Sequence, residues 1–349
     1  MEERKLDILV LAGGESSERE VSLNSSKAAA RTLAQRGNRV RIMDACDGRW
    51  LTEDMGNPGP GVSGADAKIP ARTAADDLPG INLTRALLKA RQDGVDVVFL
   101  GLHGGFGENG SIQALLDILG IPYTGSPMAA SAIAMNKDIS KRIMRTLGIS
   151  TADWQTFDRN AGASPESAEV FLNKGVFGWP VIIKPVDSGS TVGLTLVERA
   201  GRLGDAITTA FGESDAIMAE RYLSGREITM SVLDGQALPP VEIKPTHKLY
   251  DYTCKYTKGK SHYFCPADID RTITEKLSHD AVLFYQTIGC RGYGRVDFIV
   301  GGDGNYICLE LNTLPGMTEL SLFPMAAKAA GIEFGSLLER LCHMALERR

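Results

Sequence analysis

Two short segments carry the densest chemistry in the chain. Gly294-Arg295-Val296-Asp297-Phe298-Ile299 is followed, beyond Gly302-Asp303-Gly304-Asn305, by Cys308-Leu309-Glu310-Leu311-Asn312-Thr313. Asp-Gly and Gly-Asn steps tolerate positive φ, so the spacing predicts a β-hairpin. Side chains alternate along a strand, which puts Arg295 and Asp297 on one face, and Glu310 and Asn312 on one face of the returning strand. Three oxygen donors and a guanidinium set among Val, Ile, Phe and Leu are costly to bury. Hard oxygen donors suit Mg²⁺, which keeps several waters and takes its remaining ligands from substrate phosphates. Taken alone, a solvated polar face on an edge hairpin explains the segment equally well.

Other segments tilt the balance. Lys184 closes the apolar run Pro180-Val181-Ile182-Ile183-Lys184-Pro185 and precedes Ser188-Gly189-Ser190-Thr191-Val192-Gly193. A lysine ending a buried strand needs an anion, and a glycine-rich loop offers backbone N–H groups to phosphate oxygens. No G-x-x-x-x-G-K-[ST] pattern occurs there, so it is not a Walker A loop. Lys137, near the start of a helix, is a second phosphate candidate, although either lysine alone can simply reach solvent. Glu220-Arg221-Tyr222-Leu223 and Gly225-Arg226-Glu227 flank a turn, where carboxylates can hold ribose hydroxyls and Tyr222 and Leu223 can line an adenine slot; surface charges beside a turn explain it as well. Gly13-Gly14-Glu15-Ser16-Ser17-Glu18 lacks the G-x-G-x-x-G of a dinucleotide loop. Glu18 at a helix start can instead receive a substrate ammonium, with helix N–H groups nearby for a carboxylate, an arrangement that suits an amino acid. His103, in Leu102-His103-Gly104-Gly105, sits where ligands bind parallel sheets. Tyr250-Asp251-Tyr252-Thr253-Cys254-Lys255-Tyr256 reads as a lid over a phosphate site, or as a surface loop with amphipathic aromatics.

The elements that must position these groups alternate early in the chain. Strands at 6–11, 40–43 and 95–100 and helices at 22–35 and 111–119 predict a parallel α/β unit over 1–125. Ser126-Pro127 predicts a helix start, with the helix running to about Leu147. Beyond a strand at 181–185 and a return at 194–198 the chain turns β-rich, with strands at 217–222, 227–233 and 241–243 and a turn at Asp234-Gly235. Helices at 271–288 and 334–347 cover these strands, and 54–80 reads as an extended surface segment. The fold class is α/β, with α+β character in the C-terminal part.

At 349 residues the chain exceeds what one hydrophobic core supports, so two or three subdomains are expected. A net charge of −5 makes no electrostatic case for nucleic acid or an anionic membrane surface. No apolar run reaches the ~18 residues of a membrane span, the N-terminus lacks a signal-peptide core, and six cysteines without C-x-x-C spacing read as reduced thiols. A cytoplasmic location is the expectation.

In this order the segments resemble the D-alanine–D-alanine ligases of the ATP-grasp superfamily. The resemblance runs from Gly13-Gly14 and Glu18-Arg19-Glu20-Val21-Ser22 through His103-Gly104, Gly107-Glu108, Tyr123-Thr124-Gly125-Ser126, Lys184-Pro185, Gly189-Ser190 and Tyr256 to the hairpin and Pro315-Gly316-Met317-Thr318. Each motif is weak alone; their shared order over nearly the whole chain is specific. The resemblance implies an ATP-grasp fold preceded by a parallel-sheet domain, with units near 1–125, 126–220 and 221–349. It implies Lys137, Lys184 and Lys255 on nucleotide phosphates, Glu220, Arg221, Leu223 and Glu227 around adenine and ribose, and Asp297, Glu310 and Asn312 on two Mg²⁺ or Mn²⁺ ions, with K⁺ as a candidate activator. Glu18 would take the ammonium of the first D-alanine and His103 would lie near its carboxylate; Ser321 and Leu322 would receive the second carboxylate. Arg295 and the Gly316 N–H would stabilise the oxyanion, and Glu18, Ser190 and Tyr256 would brace a lid. The implied reaction passes through an acyl phosphate, and the implied assembly is a homodimer. D-lactate, D-serine or another amino acid as second substrate keeps the fold, and an ATP-binding protein without ligase activity is a further alternative. Asn109, Asn136, Ser188 and Leu249 depart from residues common in the family; Leu249 stands where an aromatic often packs on adenine.

Overall fold

The computed structural model describes residues 4–51, 79–189, 191–245 and 261–347. Ser190, Leu249, Lys255, Tyr256 and most of the 54–80 segment lie outside the described residues.

Asp7–Ala12 (β1), Arg39–Asp44 (β2) and Val97–Leu100 (β3) form a parallel sheet in the order β2-β1-β3. All of β3 and nearly all of β1 are buried, as strands covered on both faces require. Arg19–Gln35 (α1) and Pro79–Gln92 (α2) pack here, so the chain is already helical at 79, within the stretch expected to be extended. Gly105–Glu108 (α3) and Ser111–Leu119 (α4) follow β3. The last matches its expected span because Gly110 and Gly120, both left-handed, punctuate it.

The single helix expected from 127 to 147 is two, Met128–Met135 (α5) and Lys137–Thr146 (α6). Asn136 lies between them in an extended conformation, and its side chain accepts the Ile139 N–H at 3.0 Å, capping α6. The Lys137 N–H donates to Val186 O at 3.0 Å instead of continuing the first helix. Pro127 is the N-cap of α5, so the helix starts just after the expected Ser126-Pro127 pair, and Ser126 Oγ contacts the Arg291 backbone.

Trp154–Asp158 (β4), Val181–Pro185 (β5), Thr195–Val197 (β6) and Ala216–Arg221 (β7) form a second, antiparallel sheet in the order β4-β7-β5-β6. Pro165–Leu172 (α7) and Leu203–Glu213 (α8) cover it, burying Phe157, Ile183, Val197, Ile207 and Phe211. The third sheet runs β11-β10-β8-β12-β13, from Arg226–Leu233 (β8), Gln236–Ala237 (β9, paired to β8), Val241–Pro245 (β10), Ser261–Phe264 (β11), Tyr293–Val300 (β12) and Tyr306–Asn312 (β13). Asp234 and Gly235 both take positive φ, as the turn between β8 and β9 requires.

Arg271–Thr287 (α9), α5 and α6 share the third sheet's core around Met230, Leu277, Phe284, Val296 and Phe298. Leu322–Ala329 (α10) and Phe334–Leu346 (α11) instead join the core of the first sheet, so the end of the chain ties back to its beginning. Arg36 on the first unit reaches Glu339 on α11 at 2.5 Å. No helix among the described residues is long and apolar enough to cross a membrane.

Candidate active site

The hairpin forms as its sequence predicts. β12 and β13 pair with Arg295 opposite Asn312 and Asp297 opposite Glu310, and a bulge follows Asp297. Val296, Phe298 and Val300 are buried on the far face, leaving Arg295, Asp297 and Ile299 half-buried toward a cleft. Arg295 Nε and Nη2 donate to Asp297 Oδ1 and Oδ2 at 2.8 Å each, and Asn312 Nδ2 donates to Oδ2 at 3.0 Å.

The cleft, with a volume of about 820 Å³, lies between the second and third sheets. One wall carries Lys137, Lys184 and Ser188, the other Asp297 and Glu310, and the far end Glu220, Arg221, Tyr222, Leu223 and Glu227. That volume matches a nucleotide-sized ligand. Lys137 bridges the two walls: its Nζ donates to Ser188 O at 2.5 Å and stands 3.9 Å from Glu310 Oε2. The Asn136 break makes this possible, because it starts a helix at Lys137 and turns it toward the Ser/Gly loop. Lys184, buried at the end of β5, donates to Glu220 Oε2 at 2.5 Å. Glu220 is buried as well; burial pushes its carboxyl up, but Lys184 and Lys141 outweigh this and hold it at about 2. Its side chain is therefore engaged by lysines, and its backbone lies within β7, opposite Trp154 of β4 and Ile182 of β5.

A second group of predicted residues gathers beside the cleft. Glu18 is buried at the start of α1. A β-carbon on Gly104 would lie 2.8 Å from Glu18 Oε2 and one on Gly189 3.0 Å, so this one carboxylate touches both the His103 loop and the Ser/Gly loop. Side chains at either glycine would displace it. His103 is buried; its burial holds the imidazole below the usual range, opposed by Glu18, so it is neutral near pH 7. Its ring bonds to the Leu314 backbone, and Nε2 lies 3.4 Å from Ser25 Oγ. Ser321 caps α10 next to Leu322, and its Oγ lies 2.9 Å from Thr318 Oγ1 and accepts the Thr318 N–H at 3.1 Å. A β-carbon on Gly316 would sit 3.1 Å from the same Oγ, which places Gly316 and Ser321 side by side.

Among the buried charges that the sequence did not reveal, two bear on the site. Glu108 was legible only as part of a motif. Its Oε2 accepts the Gly104 N–H at 3.1 Å and its Oε1 the Leu314 N–H at 3.4 Å, joining the first unit to the loop that carries Gly316. Burial, then the Glu18 charge, raises its carboxyl to about 7. Lys141, one helical turn beyond Lys137, is fully buried; its spacing from Lys137 is the only sequence signal for it.

The donor set fits a divalent cation. Two carboxylates in register and a neighbouring amide are hard ligands. Asp297, Glu310 and Asn312 would fill only part of an octahedral shell, leaving positions for phosphate oxygens and water.

Two sheets facing each other over a cleft, with lysines on one and paired acids on the other, define the ATP-grasp class. Solved structures share the whole arrangement. D-alanine–D-alanine ligase from Bacillus anthracis complexed with ATP aligns over 98% of both chains with a TM-score of 0.75 at 29% identity. The ligase from Coxiella burnetii aligns over 99% of this chain and 95% of its own, with a TM-score of 0.76 at 26% identity. The family models for the D-ala D-ala ligase N-terminus and C-terminus match residues 7–126 and 143–343. The D-alanine–D-alanine ligases of Anaeromyxobacter dehalogenans (strain 2CP-1) and Aquifex aeolicus are 40% and 38% identical, covering 96% and 95% of this chain and 95% and 98% of theirs. The chain belongs to the D-alanine–D-alanine ligase family.

Proposed function

We propose that this protein joins two D-alanine molecules into D-alanyl-D-alanine at the expense of ATP, supplying a precursor of peptidoglycan. The observation that carries this reading is the position of Glu18. An acid suited to a substrate ammonium touches both the His103 loop and Gly189, at the end of a cleft lined by phosphate-type lysines.

The residues divide the work. Lys137 and Lys184, with Lys255, hold ATP phosphates, while Glu220, Arg221, Leu223 and Glu227 line the place of adenine and ribose. Asp297, Glu310 and Asn312 hold Mg²⁺, which when bound supplies charge neutralisation for phosphoryl transfer. Glu18 and His103 orient the first D-alanine so that its carboxylate oxygen meets the γ-phosphate, and ADP departs. The amine of the second D-alanine, held through its carboxylate by Ser321 and Leu322, then attacks the acyl carbon; a C–N bond forms and phosphate leaves with the bridging oxygen. Arg295 and the Gly316 N–H meet the charge that develops on the carbonyl oxygen. Ser190 and Tyr256 brace the lid that keeps water from the acyl phosphate. We read three units near 1–125, 126–220 and 221–349, a homodimer by analogy, and a cytoplasmic enzyme.

Oxygen tracing tests the first step. With D-alanine carrying ¹⁸O in its carboxylate, the released phosphate should contain ¹⁸O. Unlabelled phosphate alongside dipeptide formation would reject an acyl phosphate.

A further inference from the structure

Lys141 stands behind the phosphate wall, and nothing in the proposed reaction uses it. Its Nζ lies 2.5 Å from Glu220 Oε1 and donates to Thr151 Oγ1 at 2.5 Å and to Ala152 O at 3.2 Å. The Trp154 ring closes its other side, 5.1 Å from Nζ. Glu220 gives its second oxygen to Lys184, so one buried carboxylate is held between two ammonium groups. Of these two only Lys184 borders the cleft. Thr151 continues the chain of contacts, donating to Cys308 O at 2.9 Å on β13, the strand that carries Glu310.

Burying an ammonium is expensive, and breaking such a cluster leaves an uncompensated charge. The arrangement has a consequence for an anionic ligand. Lys184 with Glu220 alone is a neutral pair, and a neutral pair attracts phosphate weakly. Two cations against one anion leave a net positive charge, and the only cluster member able to present it to the cleft is Lys184. Contacts with Thr151 and Ala152 hold Lys141 where it is, so Glu220 is fixed from behind and Lys184 is fixed through it.

We propose that Lys141 is a positioning residue for nucleotide binding: it anchors Glu220 and offsets its charge, so that Lys184 meets the phosphates as an oriented cation. The proposal rests on the reading of the cleft as a nucleotide site. Calorimetry with ADP and Mg²⁺ on wild type, K141M, E220Q and K141M/E220Q separates the two. Wild-type protein that binds no ADP would overturn the nucleotide reading itself. Given wild-type binding, K141M should weaken ADP by ~10–100-fold, the size of one charge-assisted contact. The KM for ATP should rise in parallel, while kcat at saturating ATP changes by less than about threefold. The double variant should recover most of the lost affinity, because removing both partners again leaves Lys184 with an uncancelled charge. Unchanged ADP affinity in K141M, or a double variant as weak as K141M, would overturn the role. If K141M does not fold, K141R and K141Q replace it. Arginine should keep ADP binding within about threefold and glutamine should not; equal affinities would overturn the proposal.

Discussion

Arg295 and Asp297, two residues apart on β12, form a double ion pair in which both guanidinium contacts measure 2.8 Å. Asn312 on the next strand donates to the same carboxylate at 3.0 Å. In this geometry the arginine occupies both oxygens of the carboxylate expected to bind a cation. Asp297 would hold a divalent cation together with Glu310 and Asn312, and Arg295, its present partner, is the residue proposed to face the reacting carbonyl.

Glu310 faces Asp297 in register, and Lys137 Nζ stands 3.9 Å from its Oε2. Glu310→Gln should lower kcat/KM by at least ~100-fold and move the Mg²⁺ midpoint upward. The fold should survive, because the side chain is partly exposed. Activity titrated against Mg²⁺, beside thermal melting, checks this. Near-normal turnover with an unchanged midpoint would remove Glu310 from the metal site.

Glu108 predicts a pH dependence of stability. It is raised to about 7 from 4.5 by burial, then by Glu18, with the Gly104 and Leu314 N–H groups and Arg295 opposing. The folded state therefore binds more protons than the unfolded state between these values. This group's stabilisation is complete below pH 4.5 and is lost as pH rises through about 7, a change of ~3 kcal/mol. Glu108→Gln cannot titrate, and other groups cancel in the difference between variant and wild type. Urea unfolding at pH 5, 6, 7 and 8 should show wild type losing ground to the variant as pH rises. A constant difference would contradict the assignment.

Gly225 sits in the turn between β7 and β8, where a β-carbon would lie 2.5 Å from Val300 O and 2.6 Å from Ile299 Cγ2. The neighbour is backbone, which yields only by moving the turn. Gly225→Ala should cost ~1–3 kcal/mol in urea unfolding and weaken ADP, since the turn lines the cleft. Unaltered stability would show that the turn adjusts freely.

The sequence carried the hairpin because Asp-Gly and Gly-Asn steps demand a turn and alternation then decides the faces. It carried α4 because glycines bracket it. The break at Asn136 was hidden: asparagine is tolerable within a helix, and only the Lys137 N–H bond to Val186 O reveals why the first helix stops. Lys141 was hidden for a related reason. A helical lysine ordinarily reads as solvated, and its burial is decided by Glu220 and Thr151, which the fold brings from elsewhere. The short helices α7 and α10 pass unnoticed because eight residues show too little periodicity. Motifs were legible where local geometry makes them. Tertiary charge clusters were not.

Phosphate release from Mg-ATP with single amino acids, with products identified by mass spectrometry, decides whether this protein ligates D-alanine. Release is expected with D-alanine and not with L-alanine, accompanied by D-alanyl-D-alanine. ADP binding without phosphate release for any amino or hydroxy acid would contradict it and leave a nucleotide-binding protein without ligase activity.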